Sequence, residues 1–134
     1  MQDRVFIDTN IFFYLYSTDE VEKRTKIEEV TEQYSCITST QAINEFSNIL
    51  IKKLKLPVEQ IKSVIAEIYS FCNVIEIELP IIEQALDIHE MYKYSYYDCL
   101  MLSAALTSRC TQIFTEDMQD GQIIKNRLTI KNIL

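Results

Sequence analysis

The sequence predicts an α/β fold in which a short, mostly parallel central sheet is covered by helices on both faces. Short runs of β-branched and aromatic residues alternate along the chain with longer stretches of helical periodicity, the pattern of strand–helix–strand units. Its 134 residues, 48% of them hydrophobic, can fill one substantial core but not two, so a single domain over 1–134 is expected. No linker, repeat or low-complexity stretch interrupts the alternation.

Val5, Phe6 and Ile7 make a first buried strand that stops abruptly at Asp8, Thr9 and Asn10. Asn10 is placed to cap a short helix through Tyr16, and Ser17-x-x-Glu20 has the form of a capping box for a second helix reaching about Gln33. Cys36 to Thr38 is a short strand. Thr38 with Gln41 has the form of another capping box, and Ala42, Ile43, Phe46, Ile49 and Leu50 recur at helical spacing to about Leu54.

Pro57 opens the next helix, whose apolar face is Ile61, Val64, Ile65, Ile68 and Phe71, and Val74, Ile75 and Ile77 follow as a strand. Pro80 starts a helix to about Tyr92. Ser95 begins another, carrying Leu100, Leu102, Ala104, Ala105 and Leu106, apolar almost all round and therefore buried. Ile113 and Phe114 form a strand ending at Thr115, Glu116 and Asp117. Asp120-Gly121 is a turn, and Leu128 to Ile130 reads as a last, edge strand.

Composition removes several chemistries. One glycine, Gly121, cannot build a phosphate loop or a dinucleotide fingerprint, both of which need several residues at positive φ or in close approach. One histidine, His89, makes His-rich zinc sites and Ser-His-Asp hydrolysis poor readings; it falls mid-helix and reads as packing or a surface hydrogen bond. Twenty acidic against 13 basic residues, net −7, argue against a sequence-independent basic clamp for nucleic acid. Cys36, Cys72, Cys99 and Cys110 contain no CxxC pair and sit in apolar segments, which predicts reduced thiols in a reducing, cytoplasmic setting. The first apolar run is broken by Asp8 and Asn10 before a signal core or membrane span could form, so no membrane association is expected.

The remaining chemistry rests on carboxylates. In a parallel sheet ligands gather beyond the carboxyl ends of the strands, which is where Asp8 and Asp117 emerge if their strands are neighbours. Glu45, in the second turn of its helix, and Asp98, in the first turn of the buried helix, can join them. Four packed carboxylates repel, and a divalent cation is their natural counter-charge; oxygen ligands without His or Cys suit Mg²⁺ or Mn²⁺.

Four segments in order, Val5-Phe6-Ile7-Asp8-Thr9-Asn10, Asn44-Glu45, Ser95-Tyr96-Tyr97-Asp98 and Thr115-Glu116-Asp117-Met118-Gln119, resemble those of the PIN-domain ribonucleases, in particular the small VapC-like toxins of prokaryotic toxin–antitoxin pairs. The resemblance spans nearly the whole chain and implies a three-layer α/β/α sandwich. It implies Asp8, Glu45, Asp98 and Asp117 as metal-binding acids, with the Thr115 hydroxyl and the Asn10 amide in support. Asp120 is either an accessory ligand or only the turn residue. RNA as substrate, Mg²⁺ with Mn²⁺ as substitute, products with a 5′-phosphate and a 3′-hydroxyl, a homodimer and a cognate antitoxin are the further implications.

Each residue also has a structural reading. Asp8 could be a helix cap and Asp98 the end of a Ser-x-x-Asp cap; Glu45 could be solvated, and Glu116 could replace Asp117 if the strand ends one residue earlier. Tyr92, Tyr94, Tyr96 and Tyr97 fit burial or a partner contact better than base stacking. Lys52 lies two turns beyond Glu45 on the same face, placed for an RNA phosphate or for its own helix C-terminus. Two other functions remain open: a haloacid-dehalogenase-type phosphatase, which expects an aspartate where Asn10 stands, and a PIN-like module that binds RNA or protein without cutting.

Overall fold

The computed structural model of the chain describes residues 2–134. Its elements are β1 (Arg4–Ile7), α1 (Thr9–Tyr16), α2 (Val21–Gln33), β2 (Ser35–Ser39), α3 (Thr40–Lys52), α4 (Val58–Phe71), β3 (Cys72–Ile75), α5 (Leu79–Tyr92), α6 (Tyr96–Thr107), β4 (Gln112–Phe114), β5 (Ile123–Ile124) and β6 (Leu128–Lys131). Among the described residues the strands form one sheet in the order β3-β2-β1-β4-β6-β5, parallel throughout except for the β5–β6 pair.

The two-residue period of the strands divides the core. Val5, Ile7, Cys36 and Phe114 face one side, where Ile11, Phe12, Ile27, Phe46, Leu50, Ile61 and Ile68 of α1 to α4 cover them. Phe6, Ile37 and Ile113 face the other, against α5 and α6. The predicted three-layer α/β/α sandwich is therefore what the chain forms. Connections from β1 to β2 to β3 run one way across the sheet and use one face. The return to β4 reverses direction, and a right-handed crossover then requires the other face. β1 and β4 are thus neighbours at a reversal of strand order, the place where open α/β sheets form a crevice beyond their carboxyl ends.

Helix α6 is buried continuously from Cys99 to Leu106, as its almost wholly apolar surface predicts, and all four cysteines are free and buried. No described helix is long and apolar enough to cross a membrane.

Several boundaries differ from expectation, the helix caps because a neighbouring polar side chain does the work. Asp8, not Asn10, caps α1, its carboxylate accepting from Thr9 N. Ser39, not Thr38, caps α3 by accepting from Ala42 N; Thr38 is consumed by the sheet, donating to Ile7 O at 3.0 Å, and α3 ends at Lys52. No capping box forms at α2: Glu20 makes no side-chain cap, and Ser17 Oγ accepts from Asp19 N instead. β3 starts at Cys72 and stops before Ile77. β6 is interior, because the unforeseen β5 pairs antiparallel with it and forms the edge. Gly121, at φ +87°, makes the turn that brings the chain back.

Ser39→Ala removes the α3 cap inside the core, and a loss of about 1 kcal/mol, within a range of about 0.5–2, is expected. Urea denaturation should show a lower midpoint with an unchanged slope; an unchanged midpoint would refute the assigned cap.

Candidate active site

Asp8 is the centre of the crevice. It is only 4% exposed and both carboxylate oxygens are engaged: Oδ1 accepts from Thr9 N at 2.7 Å and Oδ2 from Thr115 Oγ1 at 2.7 Å. One side chain therefore joins the end of β1, the start of α1 and the residue after β4. Thr115 Oγ1 also accepts from Asp117 N at 3.2 Å, which fixes the loop carrying the second acid. The carboxylate of Asp117 accepts from Asn10 Nδ2 at 2.5 Å.

A cleft of about 240 Å³ lies above these residues and brings the four predicted acids Asp8, Glu45, Asp98 and Asp117 to one opening. Thr9, Asn10 and Asn48 supply its other polar lining, and Ile49 and Met101 its apolar wall. Glu45 reaches it from the second turn of α3. Its Oε2 is buried without a hydrogen-bond partner. Asp98 reaches it from the first turn of α6, where its backbone N–H donates to Ser95 Oγ at 3.3 Å. Its backbone completes the cap while the residue lines the cleft.

The remaining candidates lie elsewhere. Glu116 is turned away and accepts from Tyr14 OH at 2.7 Å, so the strand end selects Asp117 for the cleft. Asp120 does not line it; its Oδ1 accepts from Asn132 N at 2.8 Å, which assigns it to the turn. Lys52 stands exposed in the last turn of α3, beyond the cleft rim. Tyr92 OH accepts from Lys125 N, and Tyr94 OH accepts from Gln119 N and donates to Gln122, so these rings pin the segment after β4. Tyr97 is 56% exposed. His89 Nδ1 meets Tyr94 O at 2.6 Å, the surface hydrogen bond expected of it. Asn48 was missed because an exposed polar residue between apolar helix positions carries no signal of its own.

Electrostatics mark the four acids as a group. Burial pushes the Asp8 carboxyl up to about 6, against the hydrogen bonds from Thr115 and Thr9, with Asp117 and Asp98 adding to the rise. Glu45, Asp98 and Asp117 are also raised, each mainly by burial, then by neighbouring acids. An oxygen-only donor set with an orphaned buried oxygen suits a hard divalent cation. No three described His, Cys, Asp or Glu side chains stand as a closed metal shell, so the acids share a cleft without pre-forming one.

A raised folded pKa fixes a sign. Asp8 adds stability that is fully present below its ordinary value of 3.8 and is lost as pH rises through about 6. The difference corresponds to about 3 kcal/mol at about 1.36 kcal/mol per pKa unit. In chelator, wild-type melting temperature should rise from pH 7 to pH 5. Asp8→Asn, which keeps an N-cap side chain, should be more stable than wild type at pH 7 and should change less over that window, the other raised acids still titrating; parallel curves would refute the ionised burial of Asp8.

The model of the PIN domain family matches residues 5–119. No curated protein sequence matches the chain. Solved structures that share its fold include a toxin–antitoxin complex from Klebsiella pneumoniae (TM-score 0.73, 20% identity, 97% of this chain and 98% of that one). VapBC2 from Rickettsia felis, bound to a DNA fragment from its promoter, has a TM-score of 0.72 and 17% identity over 96% of this chain and 98% of that one. VapC20 of Mycobacterium tuberculosis, a toxin that cleaves the sarcin–ricin loop, has a TM-score of 0.66 and 16% identity over 84% of this chain and 89% of that one. The family match runs from β1 through the loop after β4 and so contains every acid of the cleft: the chain belongs to the PIN domain family.

Proposed function

We propose that the chain is a metal-dependent endoribonuclease that hydrolyses RNA phosphodiester bonds and acts as the toxin of a toxin–antitoxin pair in the cytoplasm. The observation that carries the nuclease reading is the convergence of Asp8, Glu45, Asp98 and Asp117 on one cleft at the reversal of strand order, with Glu45 Oε2 buried and unpartnered. The toxin reading and the cognate antitoxin are supported by family membership and by the toxin–antitoxin assemblies among the structures of like fold; a homodimer is part of the same proposal.

The four acids would hold Mg²⁺, or Mn²⁺ in its place. The chemistry such an ion supplies when bound is neutralisation of charge at phosphorus and activation of a water for in-line attack. The chain's own contribution is positional. Thr9 N and Thr115 Oγ1 hold the Asp8 carboxylate in one orientation, and Asn10 does the same for Asp117. Glu45 keeps one carboxylate oxygen buried and without a hydrogen-bond partner, and Ser95 steadies the turn that carries Asp98. No cysteine, serine or histidine lines the cleft, which favours direct transfer to water over a covalent enzyme intermediate. Lys52, outside the rim, is placed for a phosphate remote from the reacting bond. The phosphatase reading loses its support, since the amide of Asn10 serves Asp117 where that chemistry requires a second carboxylate.

Mixed RNA should be cut with Mn²⁺ or Mg²⁺ and spared in chelator. Asp98→Asn should lower kcat/KM by at least about 100-fold, the loss expected when one of the acids that hold the metal is removed. Binding without cleavage by the wild type would leave the non-cutting module.

Inducing the wild-type chain alone should arrest bacterial growth, and Asp8→Asn at equal protein level should not. Equal growth of both strains would leave a nuclease with no toxin role.

A further inference from the structure

The cleft has a donor problem. Four acids line it and no lysine or arginine does, yet an RNA strand entering it brings further negative charge. Among the polar side chains of the lining, the Thr9 hydroxyl donates to Ala42 O at 3.5 Å and the Asn10 amide donates to Asp117. Asn48 is the lining side chain with both N–H donors uncommitted, exposed at the rim and in no hydrogen bond with the described residues.

Its place on α3 is suited to the task. Asn48 follows Glu45 by three residues and so sits on the same face, about 4.5 Å further along the axis. Lys52 continues that face one turn beyond. Moving outward from the acids, α3 therefore presents a carboxylate, a neutral amide and a cation. A lysine in the middle position would pair with the acids. An asparagine offers N–H donors without competing for their charge.

Resting on the nuclease reading above, we infer that Asn48 is a substrate-contacting residue whose amide donates to a phosphate oxygen of the RNA beside the reacting bond. A phosphate contact carries no sequence information, so its effect is the same for all RNAs. Replacing the amide by a carboxylate adds repulsion as well as removing the donor.

The test compares wild type with Asn48→Ala, Asn48→Asp and Asn48→Gln, all at an exposed position that the core does not use. Steady-state cleavage of 5′-fluorescein-labelled single-stranded RNAs of several sequences is measured with Mn²⁺, and binding of the same RNAs is read by anisotropy with Ca²⁺. Asn48→Ala should lower kcat/KM about tenfold, most of it through KM, as for one charge-assisted hydrogen bond. Asn48→Asp should fall further, and Asn48→Gln should recover part of the loss. Binding should weaken in the same order on every sequence. If wild type cuts and all three variants bind and cut within twofold of it, Asn48 is only solvated and the inference fails while the nuclease reading stands. An effect confined to one RNA sequence overturns the phosphate contact. If wild type binds without cutting and binding still depends on Asn48, the contact holds and the nuclease reading fails; if wild type neither binds nor cuts, both fail.

Discussion

The structure depends on a buried carboxylate that is not neutralised by any basic side chain. Asp8 has both oxygens hydrogen-bonded, one to the first turn of α1 and one to Thr115 beyond β4. Those two bonds set where α1 starts and how the loop after β4 leaves the sheet. The β1–β4 pairing is prolonged past the end of β1 by Asp8 N donating to Phe114 O at 3.1 Å. Two hydrogen bonds do not remove the cost of burying the charge, which is why the Asp8 carboxyl remains high. The fold holds the group in place and leaves its charge uncompensated.

Helix α1 extends this control to the loop. Asn10 and Tyr14 are four residues apart and lie on one face of the helix. They take the two consecutive acids of the loop, Asn10 binding Asp117 and Tyr14 binding Glu116. The chain bends at Glu116 and Asp117, and the two side chains leave it toward different partners. With Glu116 turned toward Tyr14, and Lys23 stacked 4.3 Å from the centre of the Tyr14 ring, the acid that enters is Asp117.

The sequence made the layer order and the four acids legible for physical reasons. Buried parallel strands announce themselves as short apolar runs, and an acid at the end of such a run has few structural uses. Caps were less legible. Asp8, Thr9 and Asn10 can all cap a helix, as can Thr38 and Ser39, and the choice is made by tertiary partners: Thr115 takes Asp8, and Ile7 O takes Thr38. β5 was invisible because two residues have no periodicity, and its existence depends on Gly121 turning the chain back onto β6. Asp120 and Asp117 look alike in sequence; only the direction of the turn sends one toward Asn132 and the other toward the cleft.

Under the proposed nuclease function, the same arrangement lets an acidic chain offer a site to a polyanion through a bound cation. Each acid of the cleft is raised mainly by burial, and the neighbouring carboxylates add to this. Any positive charge taken up there is therefore favoured twice, by direct attraction and by relief of repulsion among its holders. Had the chain supplied the compensation with a lysine in the cleft, both gains would be lost and the acids would be locked in ion pairs. Keeping basic residues outside the lining, with Lys52 past the rim and amides at Asn10 and Asn48, preserves the unmet charge as the feature that selects what binds.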